Sequence, residues 1–138
     1  MIVIIAGPPC SGKSTYVKEN AKNEDIVIDM DRIALALVPE GAKSFGYGDK
    51  VRKIARAARL AAVKEAIILA QGERYINTFI IHTDPSADQR RSYRSVNAQI
   101  VELDPGKDVC LSRLELRPEQ NQLVARYVID EYYAKRGK

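Results

Sequence analysis

Apolar residues fall along this chain in short runs separated by stretches of helical spacing. The runs at residues 2–6, 26–29, 75–81 and 98–103 are rich in β-branched side chains and predict strands. Between them, residues 13–21, 32–37, 49–70, 86–93, 107–116 and 121–135 read as helices. Strands alternating with helices predict an α/β fold with a mainly parallel sheet of four or five strands. The long helix has Val51, Ile54, Ala58 and Ala62 on an apolar face, with Arg52, Arg56 and Arg59 at i, i+4, i+7 on roughly the opposite side. Asp49 is placed to cap it, and Gly72 sits where a C-terminal glycine belongs. Leu123, Val124, Tyr127 and Val128 form an apolar face on the last helix. Pro39, Gly41, Gly46 and Gly48 mark a loop. Residues 1–138 contain no repeat or linker and read as a single domain.

The first strand runs directly into GPPCSGKST, residues Gly7, Pro8, Pro9, Cys10, Ser11, Gly12, Lys13, Ser14 and Thr15. The spacing is G-x-x-x-x-G-K-S between a strand and a helix, the phosphate-binding P-loop pattern. Gly7 and Gly12 permit backbone conformations that a Cβ obstructs. Successive backbone N–H groups and the opening helix then form an anion cradle. Lys13 brings a charge to the outer phosphates, and the Ser14 hydroxyl is placed for Mg²⁺. These nine residues predict binding of ATP with Mg²⁺. Cys10 is either a small tolerated loop residue or a redox group.

Ligands of α/β sheets sit at the carboxyl ends of strands. The second strand ends IVIDMD, so Asp29 and Asp31 emerge near the P-loop. Alternate residues of an extended segment point the same way, which lets both carboxylates face one site. One can hold Mg²⁺, and the other can accept a proton from an attacking hydroxyl. The competing reading makes Asp31 the N-cap of the next helix. Arg113 and Arg117 are one helical turn apart; they either stabilise charge on a transferring phosphoryl group or pair with Glu115 and Glu119. Pro118 then offers a hinge for a closing lid. The third strand ends FIIHTD, bringing His82, Thr83 and Asp84 to the same rim. His82 at such a place is more often structural than catalytic. Asp84 contacts an acceptor or Mg²⁺, or begins the following helix. Phe45 and Tyr47 either stack a base or cover the core.

A P-loop followed by D-x-D at the end of the next strand resembles the small-metabolite and polynucleotide kinases of the P-loop class. The D-x-D is similar to that of shikimate and gluconate kinases, where the first Asp serves metal and the second engages the acceptor hydroxyl. The layout resembles the phage-type 5′-polynucleotide kinases, and also small phage proteins described as P-loop ATPases or nucleotide kinases. The resemblance implies a P-loop NTPase three-layer sandwich with a small helical lid. It implies Lys13, Asp31, Arg113 and Arg117 as catalytic residues and Ser14 with Asp29 as metal ligands. One position departs from the polynucleotide kinases: Ala34 stands where they place an arginine three residues after the acceptor Asp.

Charge then bears on the acceptor. The chain carries a formal +4, and residues 43–59 hold six basic residues, Lys43, Lys50, Arg52, Lys53, Arg56 and Arg59, against one acid, Asp49. Arg90, Arg91 and Arg94 form a smaller cluster. The stripe of Arg52, Arg56 and Arg59 is either a solvated face or, with Asp84, the acceptor-binding surface for single-stranded nucleic acid. A nucleotide, a nucleoside or a small metabolite is the alternative acceptor. An ATPase acting as a switch or accessory module is the alternative of another class. No apolar run approaches 18 residues, so no membrane span is expected. MIVIIAG lacks the basic n-region of a signal peptide, and two cysteines make a disulfide framework unexpected. A cytoplasmic setting is the expectation, with no obligate protein partner evident.

Overall fold

The computed structural model describes residues 1–42, 47–71, 76–117 and 122–137. Its elements run β1 (Ile2–Ala6), α1 (Lys13–Asn20), β2 (Ile26–Ile28), α2 (Met30–Leu37), α3 (Asp49–Ala70), β3 (Thr78–His82), α4 (Ala87–Ser95), β4 (Gln99–Glu102), α5 (Lys107–Leu114) and α6 (Gln122–Ala134). The four strands form one sheet in the order β2-β3-β1-β4, parallel at every pairing. This is the α/β architecture of a P-loop NTPase.

β1 is central and buried along its whole length, as a parallel strand covered on both faces requires. Its side chains divide by parity. Ile2 and Ile4 join Ile28, Ile80, Val63, Ala66 and Tyr93 in one core. Val3 and Ile5 join Phe79 and Val17 in another on the opposite face. Helices α3 and α4 therefore cover one face and α1 the other, giving three layers. A third cluster packs Cys110, Leu114, Ile129, Tyr132 and Tyr133 against Cys10, which joins the α5–α6 pair to the P-loop. Each aliphatic side chain buried in this way contributes about 1.5–3 kcal/mol.

Several expectations change. The second strand stops at Ile28 because Asp29 is the N-cap of α2, its Oδ1 accepting from Asp31 N at 3.1 Å. Asp31 is therefore not the cap; it lies in the first helical turn. Gly48, not Asp49, occupies the N-cap of α3. Ser86 caps α4 through a capping box with Gln89 rather than starting the helix.

The apolar face of α3 is displaced from the expected one. Ala55, Val63 and Ala66 are buried, and Ile54 is 57% exposed. Val63 and Ala66 join the sheet's core with Ala62 packed against it, and Ala55 is buried outside that cluster. On α6 the buried side is Ile129, Tyr132 and Tyr133, while Leu123 and Tyr127 are 82% and 66% exposed. Tyr133 is suited to that face because its hydroxyl donates to Asp104 Oδ1 at 2.6 Å, and the Tyr132 ring lies under the Arg136 guanidinium, 3.5 Å from its centroid. The expectations for Phe45, Gly46, Gly72, Tyr75, Pro118 and Glu119 lie outside the described residues.

Candidate functional site: a phosphate-binding loop facing two carboxylates

β1, β3 and β4 end level, with Ala6 opposite both His82 and Glu102. The chain leaves β1 between its two neighbours: Gly7 N donates to Thr83 O at 3.0 Å, and Leu103 N donates to Ala6 O at 2.8 Å. The approach is so close that a Cβ on Gly7 would lie 2.4 Å from Leu103 O and 2.6 Å from Ser11 Oγ. Glycine is the residue that fits. The loop turns through Cys10 at φ 64 and Gly12 at φ 99, both left-handed. Cys10 is therefore held in a conformation that costs a non-glycine residue about 1–3 kcal/mol. Ser11 N closes the turn on Pro8 O at 3.2 Å.

Gly12 is the N-cap of α1 and supplies no side-chain cap, so the first-turn amides of Lys13, Ser14 and Thr15 have no capping side chain. Ser11 Oγ is buried and has no hydrogen-bond partner among the described residues. A phosphate group satisfies such donors. Lys13 Nζ donates to Gly7 O at 2.6 Å and to Pro8 O at 2.7 Å, folding the ammonium over the loop. Burial lowers this ammonium to about 8, and the like charge of Arg117 adds to the effect. It remains a cation at neutral pH.

A cavity of about 800 Å³ opens from the loop. Gly12, Lys13, Ser14, Thr15, Pro9 and Cys10 line one side, and Asp29 with Asp31 lines the other. The alternation argument for the two carboxylates does not hold, since Asp29 is an extended cap and Asp31 a helical residue. They share the cavity nonetheless, because the helix turns straight out of the strand end. Burial raises the Asp29 carboxyl above the ordinary range, outweighing the Asp31 N–H it accepts. A cation beside it relieves that cost. Ser14 and Asp29 offer oxygen alone, the donor chemistry that Mg²⁺ takes together with phosphate oxygens and water. Among the described residues there is no cluster of three His, Cys, Asp or Glu suited to an all-protein metal cage.

The basic residues separate. Arg56 and Arg59 line this cavity, so the side thought to face away from the packing is the side that meets the site. Arg59 Nη2 also donates to Ile81 O at 3.2 Å. Arg52 lies over the Tyr47 ring, 5.7 Å from its centroid. Tyr47 is tied to the site by its hydroxyl, which donates to Asp31 Oδ1 at 2.5 Å. Burial and that bond push the phenol up to about 12.

Arg113 and Arg117 do not share a helical face, because α5 ends at Leu114 and Arg117 follows in a turn. Arg113 Nη1 donates to Cys10 O at 3.1 Å. Arg117 borders both the main cavity and a smaller one of about 380 Å³ beside Thr15, Tyr16, Leu103 and Arg113.

His82, Thr83 and Asp84 reach the rim as expected. His82 Nδ1 lies 3.1 Å from Tyr93 Oη. Burial lowers the imidazole to about 4, helped by the Arg59 and Arg90 charges, so it is neutral at pH 7. Asp84 is engaged elsewhere: Arg136 Nη2 donates to its Oδ1 at 3.0 Å, with Arg90 and Lys135 each 3.9 Å away. It fastens the chain's last described turn to the end of β3. Leu60 and Val128 also line the cavity and were not foreseen. Val128 belongs to the apolar face expected of α6, and Leu60 to no face the spacing picked out; the cavity that α3 and α6 border reveals them.

No helix among the described residues is long and apolar enough to cross a membrane. No relative among curated proteins matches the chain. The family model described as an AAA domain, AAA_33, matches residues 2–137. The chain belongs to that family, a P-loop group with nucleotide-binding kinases among its members.

Proposed function

We propose that this protein transfers the γ-phosphoryl group of ATP to an acceptor hydroxyl. One observation carries the reading: a single cavity brings Lys13 and Ser14 of the phosphate loop together with Asp29, Asp31, Arg56 and Arg59. Lys13 and the α1 amides hold the phosphates. Ser14 and Asp29 would hold Mg²⁺, which supplies charge neutralisation between the outer phosphates when bound. Arg117 stabilises charge that develops on the transferring group. Arg113 acts through the loop, by holding Cys10 O. The nucleoside end of ATP is read into the smaller cavity beside Tyr16 and Leu103. Asp31 accepts the acceptor's proton.

Two guanidinium groups on the acceptor side favour an acceptor that itself carries phosphate. A 5′-hydroxyl at the end of single-stranded nucleic acid meets that description, and Arg52, one turn further along α3, extends the same basic track. Asp84 is read as an anchor of the rim rather than a direct acceptor contact, because its carboxylate is held by Arg136.

The test follows the label of γ-labelled ATP, with Mg²⁺, in the presence of 5′-hydroxyl oligonucleotides, nucleosides, nucleotides and small polyols. Label on the oligonucleotide end supports the full reading. Label on another acceptor moves the acceptor and keeps the transfer. Label released solely as inorganic phosphate would make the protein an ATPase.

A further inference from the structure

Asp31 already holds a hydroxyl. The Tyr47 phenol donates to Asp31 Oδ1 at 2.5 Å, within the usual range for a charge-assisted O–H···O bond. Asp31 is held at its backbone by the Asp29 cap on its N–H, and its carboxylate meets both the phenol and the cavity. The ring is placed from outside: it stands just before the Gly48 cap of α3, with the Arg52 guanidinium over its face. A hydroxyl that donates to Asp31, beside the cavity lined by Lys13 and Ser14, is what the transfer reaction requires of its acceptor.

We propose that Tyr47 is itself a phosphoryl acceptor, so that the chain phosphorylates its own Tyr47 hydroxyl when Mg·ATP is bound without an external acceptor. The inference rests on the reading of Asp31 given above. In the step, Tyr47 Oη forms a bond to the γ-phosphorus. The bond from that phosphorus to the β–γ bridging oxygen breaks with its electron pair, leaving ADP. The phenol proton passes to Asp31 Oδ1. Burial and the Asp31 bond keep the phenol protonated at neutral pH. A loose transition state asks little charge of its nucleophile, so the proton leaves late and needs the carboxylate beside it. An external hydroxyl must take the same Asp31 oxygen. Acceptor and Tyr47 therefore exclude one another, and self-modification falls as acceptor is added.

The full chain is incubated with γ-labelled Mg·ATP, with and without the acceptor panel, and the label is located by peptide mass spectrometry. The expected result without acceptor is label on Tyr47, at a rate per chain independent of protein concentration. Label at that position is absent in Tyr47→Phe and slowed by roughly 10² or more in Asp31→Asn. The wild-type map decides the matter even if a variant folds poorly. A labelled acceptor with no label on Tyr47 overturns this inference and leaves the transfer reading standing. Label on a different residue of the chain also overturns it. Label on neither chain nor acceptor overturns both.

Discussion

Arg113 Nη1 donates to Cys10 O at 3.1 Å, a bond that spans 103 positions of sequence and fastens the end of α5 to the crest of the phosphate loop. Cys10 is the loop's non-glycine residue with a positive φ, and a Cβ on Gly12 would lie 3.8 Å from the same guanidinium. Arg113 therefore holds the strained part of the loop in shape. Arg113→Ala is expected to lower stability by about 1 kcal/mol and to weaken ATP binding together with it. Urea denaturation and an ATP titration of the same variant check this. Unchanged values in both would make the contact incidental.

Gly7 and Gly48 should respond to the same change by different amounts. A Cβ at Gly7 meets Leu103 O at 2.4 Å, whereas a Cβ at Gly48 meets nothing within 4 Å. Gly7→Ala must move backbone and is expected to cost about 1–3 kcal/mol or more. Gly48→Ala is expected to cost about 0.5–1 kcal/mol, the gap between Gly and Ala at an N-cap. Thermal melts of the two variants make the comparison. Equal losses would contradict the close approach at β4.

Asp29 has two jobs that substitution can separate. Its Oδ1 caps α2, and its carboxylate charge faces the cavity. Asp29→Asn keeps a capping oxygen and loses the charge, so it should retain stability and lose the Mg²⁺ dependence of ATP binding. Asp29→Ala should lose both, at about 1 kcal/mol for the cap. ATP titrations with and without Mg²⁺, run beside melts, resolve the two effects. A stable Asp29→Asn variant with undiminished Mg²⁺ dependence would remove Asp29 from the metal site.

His82 gives a pH signature. Its pKa falls to about 4 in the folded chain from an ordinary 6.5. Between those values the unfolded chain binds the proton and the folded chain does not, so stability rises with pH across that window. The contribution is whole above about 6.5 and is lost as pH falls toward 4. The difference in unfolding free energy between wild type and His82→Gln, measured from pH 4 to 8, should carry that slope. A difference that stays flat with pH would show the imidazole to be titrating normally.

Much of the frame was legible in the sequence because it depends on local signals. The runs in β1, β3 and β4 and the spacing from Gly7 to Ser14 dictate the strand–loop–helix unit with little help from tertiary contacts. The helix faces were legible only in part: Ala62 of the expected α3 face packs against the core, and Val51 and Ala58 are half-buried. On α3 it is Ala55, Val63 and Ala66 that are buried while Ile54 turns out. On α6 the burial of Tyr133 depends on a hydroxyl partner, Asp104, 29 residues away in sequence. The site was found through its motif residues, Lys13, Ser14, Asp29 and Asp31. The Tyr47 bond was not legible: its partner, Asp31, lies across a loop, and aromatic character alone gives no sign of a hydrogen bond. Spacing puts Arg113 and Arg117 on one helix; the end of α5 at Leu114 breaks that shared face, and both still border the smaller cavity.

The most direct test of the account is the fate of the γ-phosphoryl group in Asp31→Asn. The amide keeps the size of the side chain and cannot take a proton from an attacking hydroxyl. The expected result is ATP binding close to wild type, with transfer to the acceptor slowed by roughly 10² to 10⁴. Transfer at the wild-type rate in a variant that has lost only thermal stability would contradict the account, and would leave Asp31 as a structural residue of the α2 helix.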